Sequence, residues 1–368
     1  MFLRFIVLIV SISFSTPVLA DHAEGHAGRS AEAQKNQVLA WKLPKDTSKL
    51  IPDISVIGSI AGGVFRDDPV GDQGPNPART GFNLQGIELV LQSVIDPYVR
   101  GDIFFHFHED EVEVEEAFVT TLALPWNLQA RVGKFLARFG RQNAQHHEKL
   151  DFVDYSRNNR HFFSPENFRE LGVEGSILLP ASWFSELSFE FLQGENEGNF
   201  DGPRKGDFAY LGHWTNTFDL SSKTTLQTGL SGAFGFNASG ADHSTQIYGA
   251  DLYWRYRPND RRGLKWQTEY FLRKREDVGN TLTDGGAYTQ VVGQFARRWE
   301  GGVRLERLGL PSEGTSEWSV SPVITFLASE FFKLRGQYNW VRPDNGRTGH
   351  EAFVQLQFNM GPHGAHAF

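Results

Sequence analysis

From Tyr98 to His108 the chain alternates almost without error between apolar and polar positions. Val99, Gly101, Ile103, Phe105 and Phe107 fall on one face, and Arg100, Asp102, Phe104, His106 and His108 on the other. A strand that is apolar on one side and charged on the other separates a greasy medium from a wet one. The pattern recurs. Val112, Val114 and Phe118 oppose Glu113 and Glu115; Leu187, Phe189 and Phe191 share a face, as do Ala352, Val354, Leu356 and Phe358. Sixteen such runs fall between Ile54 and Met360. Among them are a third over Tyr98–Phe107, a fourth over Val112–Leu122, a fifth over Leu128–Arg138 and a short thirteenth over Val303–Leu308. Most are near the roughly ten residues a tilted strand needs to cross a bilayer. The prediction is an all-β fold: a transmembrane antiparallel β-barrel of about sixteen strands over 53–360, with lipid outside and water inside.

The connections sort by parity. After even-numbered strands they are short: Asp96-Pro97, Pro125-Trp126, Pro180-Ala181 and Gly301-Gly302. After odd-numbered strands, segments 66–80, 139–168, 194–206 and 275–286 are long. Short periplasmic turns and long outer loops characterise transmembrane barrels. Trp126, Trp183, Trp299 and Trp318 fall near strand ends, where an aromatic girdle would sit.

Residues 1–20 read as a secretory signal peptide, with Arg4, an apolar stretch from Phe5 to Phe14 and a Val18-Leu19-Ala20 cleavage site. Residues 21–52 read as a periplasmic extension and 361–368 as a periplasmic tail. Composition changes the picture in two ways. With no cysteine, disulfides, thiol catalysis and Cys-ligated zinc are excluded. Without the signal the chain carries 35 basic and 44 acidic residues, a net charge of −9, which disfavours nucleic acid as a partner. The expected surroundings are the lipid bilayer and lipopolysaccharide of a bacterial outer membrane.

Segment 139–168, the third outer loop, is rich in charge and histidine: Arg141, His146, His147, Glu148, Lys149, Asp151, Asp154, Arg157, Arg160 and His161. A sixteen-stranded barrel leaves a water-filled bore, and a loop folded inward would narrow it. The bland alternative is a solvated external lid. Arg131, Arg138 and Arg141 are expected to face Glu113 and Glu115 across the constriction, with His146 and His147 nearby. Lys134 shares the outward parity of Val132, unless a bulge at Gly133 re-aims it.

The run Leu128–Asn143, with Gly133-Lys134-Phe135 and Arg138-Phe139-Gly140-Arg141 at its centre, resembles the fifth-strand signature of the phosphate-selective-type porins. It is more similar still to an uncharacterised branch of predicted outer-membrane porins. Asn159-Arg160-His161-Phe162-Phe163, Gly172-Val173-Glu174, Asp96-Pro97-Tyr98, Val114-Glu115-Glu116-Ala117-Phe118 and the tail Gly361-Pro362-His363-Gly364-Ala365-His366-Ala367-Phe368 also fit it. The resemblance implies a sixteen-stranded pore and a homotrimer. It also implies a ladder of basic groups in the bore, to which Arg131, Arg138 and Arg141 would correspond. Glu113, Glu115, Glu174, Glu186 and Glu190 are predicted to face the same bore and would dilute that ladder.

The reading is a porin-like channel for passive diffusion of small hydrophilic or ionic solutes. No enzyme motif is visible: no Gly-x-Ser-x-Gly, no His-Glu-x-x-His and no glycine-rich phosphate loop. No cofactor is expected. Two rivals stand beside the channel. One is a zinc-linked protein whose terminal His22, His26, His363 and His366 collect the metal; the other is a structural or adhesive barrel plugged by its own loops.

Overall fold

Hydrocarbon offers no partner to a backbone amide, so a strand in lipid must pair on both sides. The computed structural model describes residues 52–361 apart from 67–75, 78, 110, 165, 197, 260 and 312–315. In it sixteen antiparallel strands close into one barrel. In chain order they are β1 (Asp53–Arg66), β2 (Gly81–Val94), β3 (Val99–Phe107), β4 (Val112–Thr121), β5 (Leu128–Leu136), β6 (Arg169–Leu178), β7 (Phe184–Leu192) and β8 (Ala209–Ser221). There follow β9 (Thr224–Phe236), β10 (Ser244–Asn259), β11 (Arg262–Asp277), β12 (Asn280–Ala296), β13 (Trp299–Leu308), β14 (Glu317–Leu327), β15 (Phe332–Pro343) and β16 (Gly349–Met360). β1 pairs with β16 from Val56↔Met360 to Arg66↔His350, which leaves no edge. The predicted signal, residues 21–51 and tail residues 362–368 lie outside the described residues.

Polarity is inverted relative to a water-soluble protein. Ile103, Val114, Val132, Val173, Phe189 and Val354 face outward, while Asp102, His106, Glu115, Glu174, Glu190 and Gln355 are buried in the bore. The outer belt is what lipid requires, and it makes the chain an outer-membrane barrel. Connections on the side of the termini hold two to six residues. Trp126, Trp183 and Trp299 lie at that rim and Trp318 at the opposite one, all partly exposed.

Four local expectations are corrected. Gly301-Gly302 is not a turn; both glycines lie in β13, paired with Gly293 and Val292, and the turn is Arg297-Arg298. A Cβ on Gly302 would press into the Val291 carbonyl and the Val292 backbone, so the residue serves close strand approach. Segment 275–286 is not a loop either. β11 and β12 pair up to Asp277↔Asn280 around a two-residue turn. These strands of 16 and 17 residues exceed the bilayer's need and project beyond it. The fifth strand ends at Leu136 rather than Arg138.

Phe118 is the fourth correction. The β3–β4 register shifts where Phe104 pairs with Glu116 and Phe105 with Val114. Glu115 is thus an extra residue, and both it and Glu116 are buried. The bulge flips the alternation beyond it, so Phe118 turns toward the bore and packs against Phe135.

The apolar core lies inside the barrel. Phe135, Phe139, Phe162, Phe163, Phe168, Phe200 and Phe271 form one cluster, contributed by wall strands, by segment 137–168 and, through Phe200, by the connection between β7 and β8. β5 enters it through Gly133, whose φ of 141° lies in the region that glycine tolerates. A Cβ there would meet the Ala117 carbonyl and the Phe118 backbone, whereas one on Gly232 would meet nothing within 4 Å. Gly133→Ala is therefore expected to destabilise the folded barrel by roughly 2–3 kcal/mol and Gly232→Ala by under about 0.5 kcal/mol. Urea unfolding followed by the heat-sensitive gel mobility of the barrel measures both; equal stability would refute the β5 assignment.

Candidate functional site

Segment 137–168 leaves the outer end of β5, enters the bore and returns to β6. Its neck is closed by one residue. Asn143 donates through Nδ2 to the carbonyls of Ala137 (2.8 Å) and Phe168 (3.0 Å), and its Oδ1 accepts from Phe168 N–H (2.7 Å). At Gly140 (φ 62°) the chain bends toward the far wall. There the Glu269 carboxylate accepts from the amides of Arg141 (3.0 Å) and Gln142 (2.9 Å). Residues 148–154 then follow β15. Lys333 donates to the Glu148 carbonyl (3.1 Å), Arg335 to those of Leu150 and Phe152 (2.8 Å each), and Gln337 accepts from Val153 N–H (2.6 Å). A short helix α1 (Arg157–Phe163) completes the segment, its Ser156 hydroxyl accepting from Asn159 N–H (3.1 Å). The external-lid alternative is thereby set aside.

The segment is held mainly by charge. Arg304, whose side chain is 1% exposed, pairs with Asp154 (2.7 Å) and Glu306 (3.1 Å) and lies over the Phe152 ring. Arg157 pairs with Glu351 (2.9 Å), and Lys265 with Asp151. Burial opposes ionisation of Asp154, but Arg304 and Arg160 hold its carboxyl well below the usual range. Burial pushes the His147 imidazole down to about 4, and this ring sits against the Val153 carbonyl at 2.8 Å.

The predicted bore residues separate into two clusters that do not face each other as expected. Arg131 pairs with Glu174 (2.5 Å) and lies over Phe135. Arg138 pairs with Glu174 (2.9 Å) and Glu186 (3.0 Å), and its amide donates to Glu190 (2.8 Å). Burial opposes the charge of Arg138, yet these carboxylates raise its pKa. Arg141 goes elsewhere, onto the face of Tyr253 and the amide of Gln227. Glu113 and Glu115 instead bind Arg169 (2.5 and 3.3 Å), and Lys134 reaches Glu113 (3.0 Å). Lys134 thus points back to the wall beside the Gly133 distortion rather than out into lipid. The reason for the regrouping is the bulge at Glu115, which ties β4 to the base of β6.

His146 is the centre of the second cluster. Its Nδ1 lies 3.2 Å from Glu88 and 3.7 Å from Glu115, and its Nε2 lies 2.8 Å from Glu116. The ring stacks on Phe104. Burial disfavours its charge, but Glu88 and Glu116 raise its pKa well above the usual histidine value. Sequence reasoning missed Glu88, Arg304, Lys333 and Arg335, although each has the inward parity of its strand. The terminal histidines, His22, His26, His363 and His366, lie outside the described residues.

No family model matches the chain. An uncharacterized protein of Aquifex aeolicus (strain VF5) is 31% identical over 335 residues, covering 79% of this chain and 71% of that one. The chain belongs to the family of that Aquifex protein. Two solved structures share its architecture. The anion-selective porin from Comamonas acidovorans superposes with a TM-score of 0.61 at 11% identity, over 84% of this chain and 99% of the porin. The outer membrane channel DcaP of Acinetobacter baumannii gives 0.58 at 13% identity, over 86% and 100%. This chain thus has a porin-like fold.

In this member the inward segment depends on its buried ion pairs. Asp154→Ala would leave Arg304 buried without its main partner, a change that costs about 3–5 kcal/mol. The expected outcome is a barrel that stays folded while its inner segment becomes cleavable by trypsin at Lys149, Arg157 or Arg160. Equal protease resistance of wild type and variant would show that the pair does not anchor it.

Proposed function

We propose that the protein is a channel for passive diffusion of small hydrophilic or ionic solutes. A single observation carries this reading: a charged segment of the chain's own sequence lies inside a polar bore, held by side chains from around the wall. Such a segment replaces part of a solute's hydration and sets charge preference where the passage is narrowest. A recess of about 530 Å³ opens toward the terminal-side mouth, lined by Glu148, Arg297, Arg298, Lys333, Gln357 and Asn359 among others. Two of the segment's cations, Arg138 and Arg141, lie beside the β7 and β9–β10 walls. The porin-like fold agrees with this role.

Phosphate selectivity is not part of the proposal, because Arg131 and Arg138 are both engaged by glutamates. Association of three barrels is retained from the resemblance, with the mass of the detergent-extracted native particle as its test. Collection of zinc by the terminal histidines is retained as an accessory role, tested by calorimetry with and without residues 21–30 and 361–368. A second reading, the self-plugged barrel, is favoured by the burial of residues 152–159 and of Arg304.

Planar-bilayer recording separates the two. The expected result is a steady ionic conductance whose reversal potential moves toward cation preference in Arg138→Gln and in Arg141→Gln, since each removes a positive charge from the passage. A barrel that neither conducts nor admits sugars into liposomes is plugged, and the channel reading is then lost.

A further inference from the structure

We propose that Glu88, His146 and Glu148 form a binding site for one divalent transition-metal ion, with zinc as the natural probe. The ligand atoms of these three buried residues all lie within 4.8 Å of one another. They come from β2 and from the inner segment, so an ion would join wall and segment directly. Two carboxylate oxygens in the cluster, Glu88 Oε1 and Glu148 Oε1, are buried and have no hydrogen-bond partner among the described residues. Glu88 and Glu148 are 7% and 6% exposed. Buried carboxylate oxygens with no donor are costly, and a cation between them removes that cost.

The histidine is set for the same purpose. Its Nε2 lies 2.8 Å from Glu116 Oε2, and Glu116 Oε1 accepts from Leu136 N–H at 2.5 Å. A proton on Nε2 completes that hydrogen bond and holds the ring so that, once an incoming ion displaces the proton on Nδ1, the Nδ1 lone pair points at the cluster. This is the carboxylate–histidine–metal arrangement, in which an outer carboxylate orients the ligand ring. The 3.2 Å from Nδ1 to Glu88 Oε2 already matches the separation of about 3.3 Å between two ligand atoms on a tetrahedral ion with bonds near 2.0–2.1 Å. Glu115 Oε2, 3.7 Å from Nδ1, stands as a fourth donor. A cavity of about 20 Å³, bordered by Glu88, Glu115 and His147, leaves room for a metal-bound water. An imidazole among carboxylates favours zinc and its neighbours over calcium or magnesium. The inference does not depend on the channel reading, and it concerns residues separate from the terminal histidines.

Calorimetry on the full chain folded in detergent, with His22, His26, His363 and His366 replaced by alanine, tests it. Zinc is expected to bind at one ion per barrel. Glu88→Gln and Glu148→Gln, which preserve shape, are each expected to weaken binding at least tenfold, and Glu116→Gln by roughly 10–100-fold through loss of ring orientation. Calcium is expected to give no saturable heat. Heat-sensitive gel mobility establishes that each variant is folded. Loss of all zinc binding with the terminal histidines, unchanged affinity in both ligand variants, or equal binding of calcium overturns the site and leaves the cluster a proton-holding ion-pair network.

Discussion

Everything in this molecule follows from the closure of one hydrogen-bond ladder. A bilayer interior supplies no donors or acceptors, so an open sheet edge in it would strand a row of backbone groups. The pairing of β1 with β16 removes that edge. Once the sheet is closed, the pleat decides the rest: alternate side chains must go out to lipid or in to the bore. The outward set can only be apolar. The inward set is then free to carry charge, and in this chain it carries a great deal.

That freedom creates a second problem, which the inner segment solves. Carboxylates such as Glu174, Glu190, Glu306 and Glu351 are buried in the bore, alongside Arg304 and Arg335. Buried charges are tolerated when they are paired and hydrogen-bonded. Segment 137–168 supplies partners on nearly every side: Arg138 for Glu174 and Glu186, Asp154 for Arg304, Arg157 for Glu351, and main-chain carbonyls for Arg335. The Phe152 ring lies against the Arg304 guanidinium and helps to exclude water from the Arg304–Asp154 pair. The segment and wall are therefore complementary in charge.

Much of the fold was legible because the two media on either side of the wall impose a period of two. The reading failed where that imposition stops. Beyond the bilayer the outward faces of β11 and β12 no longer need to be apolar, so segment 275–286 shows no alternation and looks like a loop. At Glu115-Glu116 one extra residue shifts the parity, which no count of period two can reveal, and Phe118 is assigned to the wrong face. Gly301-Gly302 resembles a turn because glycine serves tight turns and close strand contacts alike. The length and charge of segment 139–168 marked it as a special loop, but both an inward path and an external lid fitted them. Its partners were not legible, because they depend on the path of the chain through the bore. Arg131, Arg138 and Arg141 are expected opposite Glu113 and Glu115 because all are assigned to the bore, while the structure gives Arg131 and Arg138 to β6 and β7 and Arg141 to β9 and β10.

The two clusters also differ in kind, and the difference bears on what each can do. Around Arg138 the positive charge is permanent, since a guanidinium does not release its proton in the working range. Glu174 and Glu186 therefore keep their cation in every state, and this pairing acts as a fixed field. Around His146 the positive charge is conditional. Glu115 has Arg169 as a permanent partner, but Glu88 meets its cation only when the imidazole holds its second proton. A site built on a conditional charge has two ways to satisfy the same carboxylates, by a proton on the ring or by an ion beside it. The hydrogen bond to Glu116 is compatible with both, so a metal can replace the Nδ1 proton without breaking the contacts that place the ring.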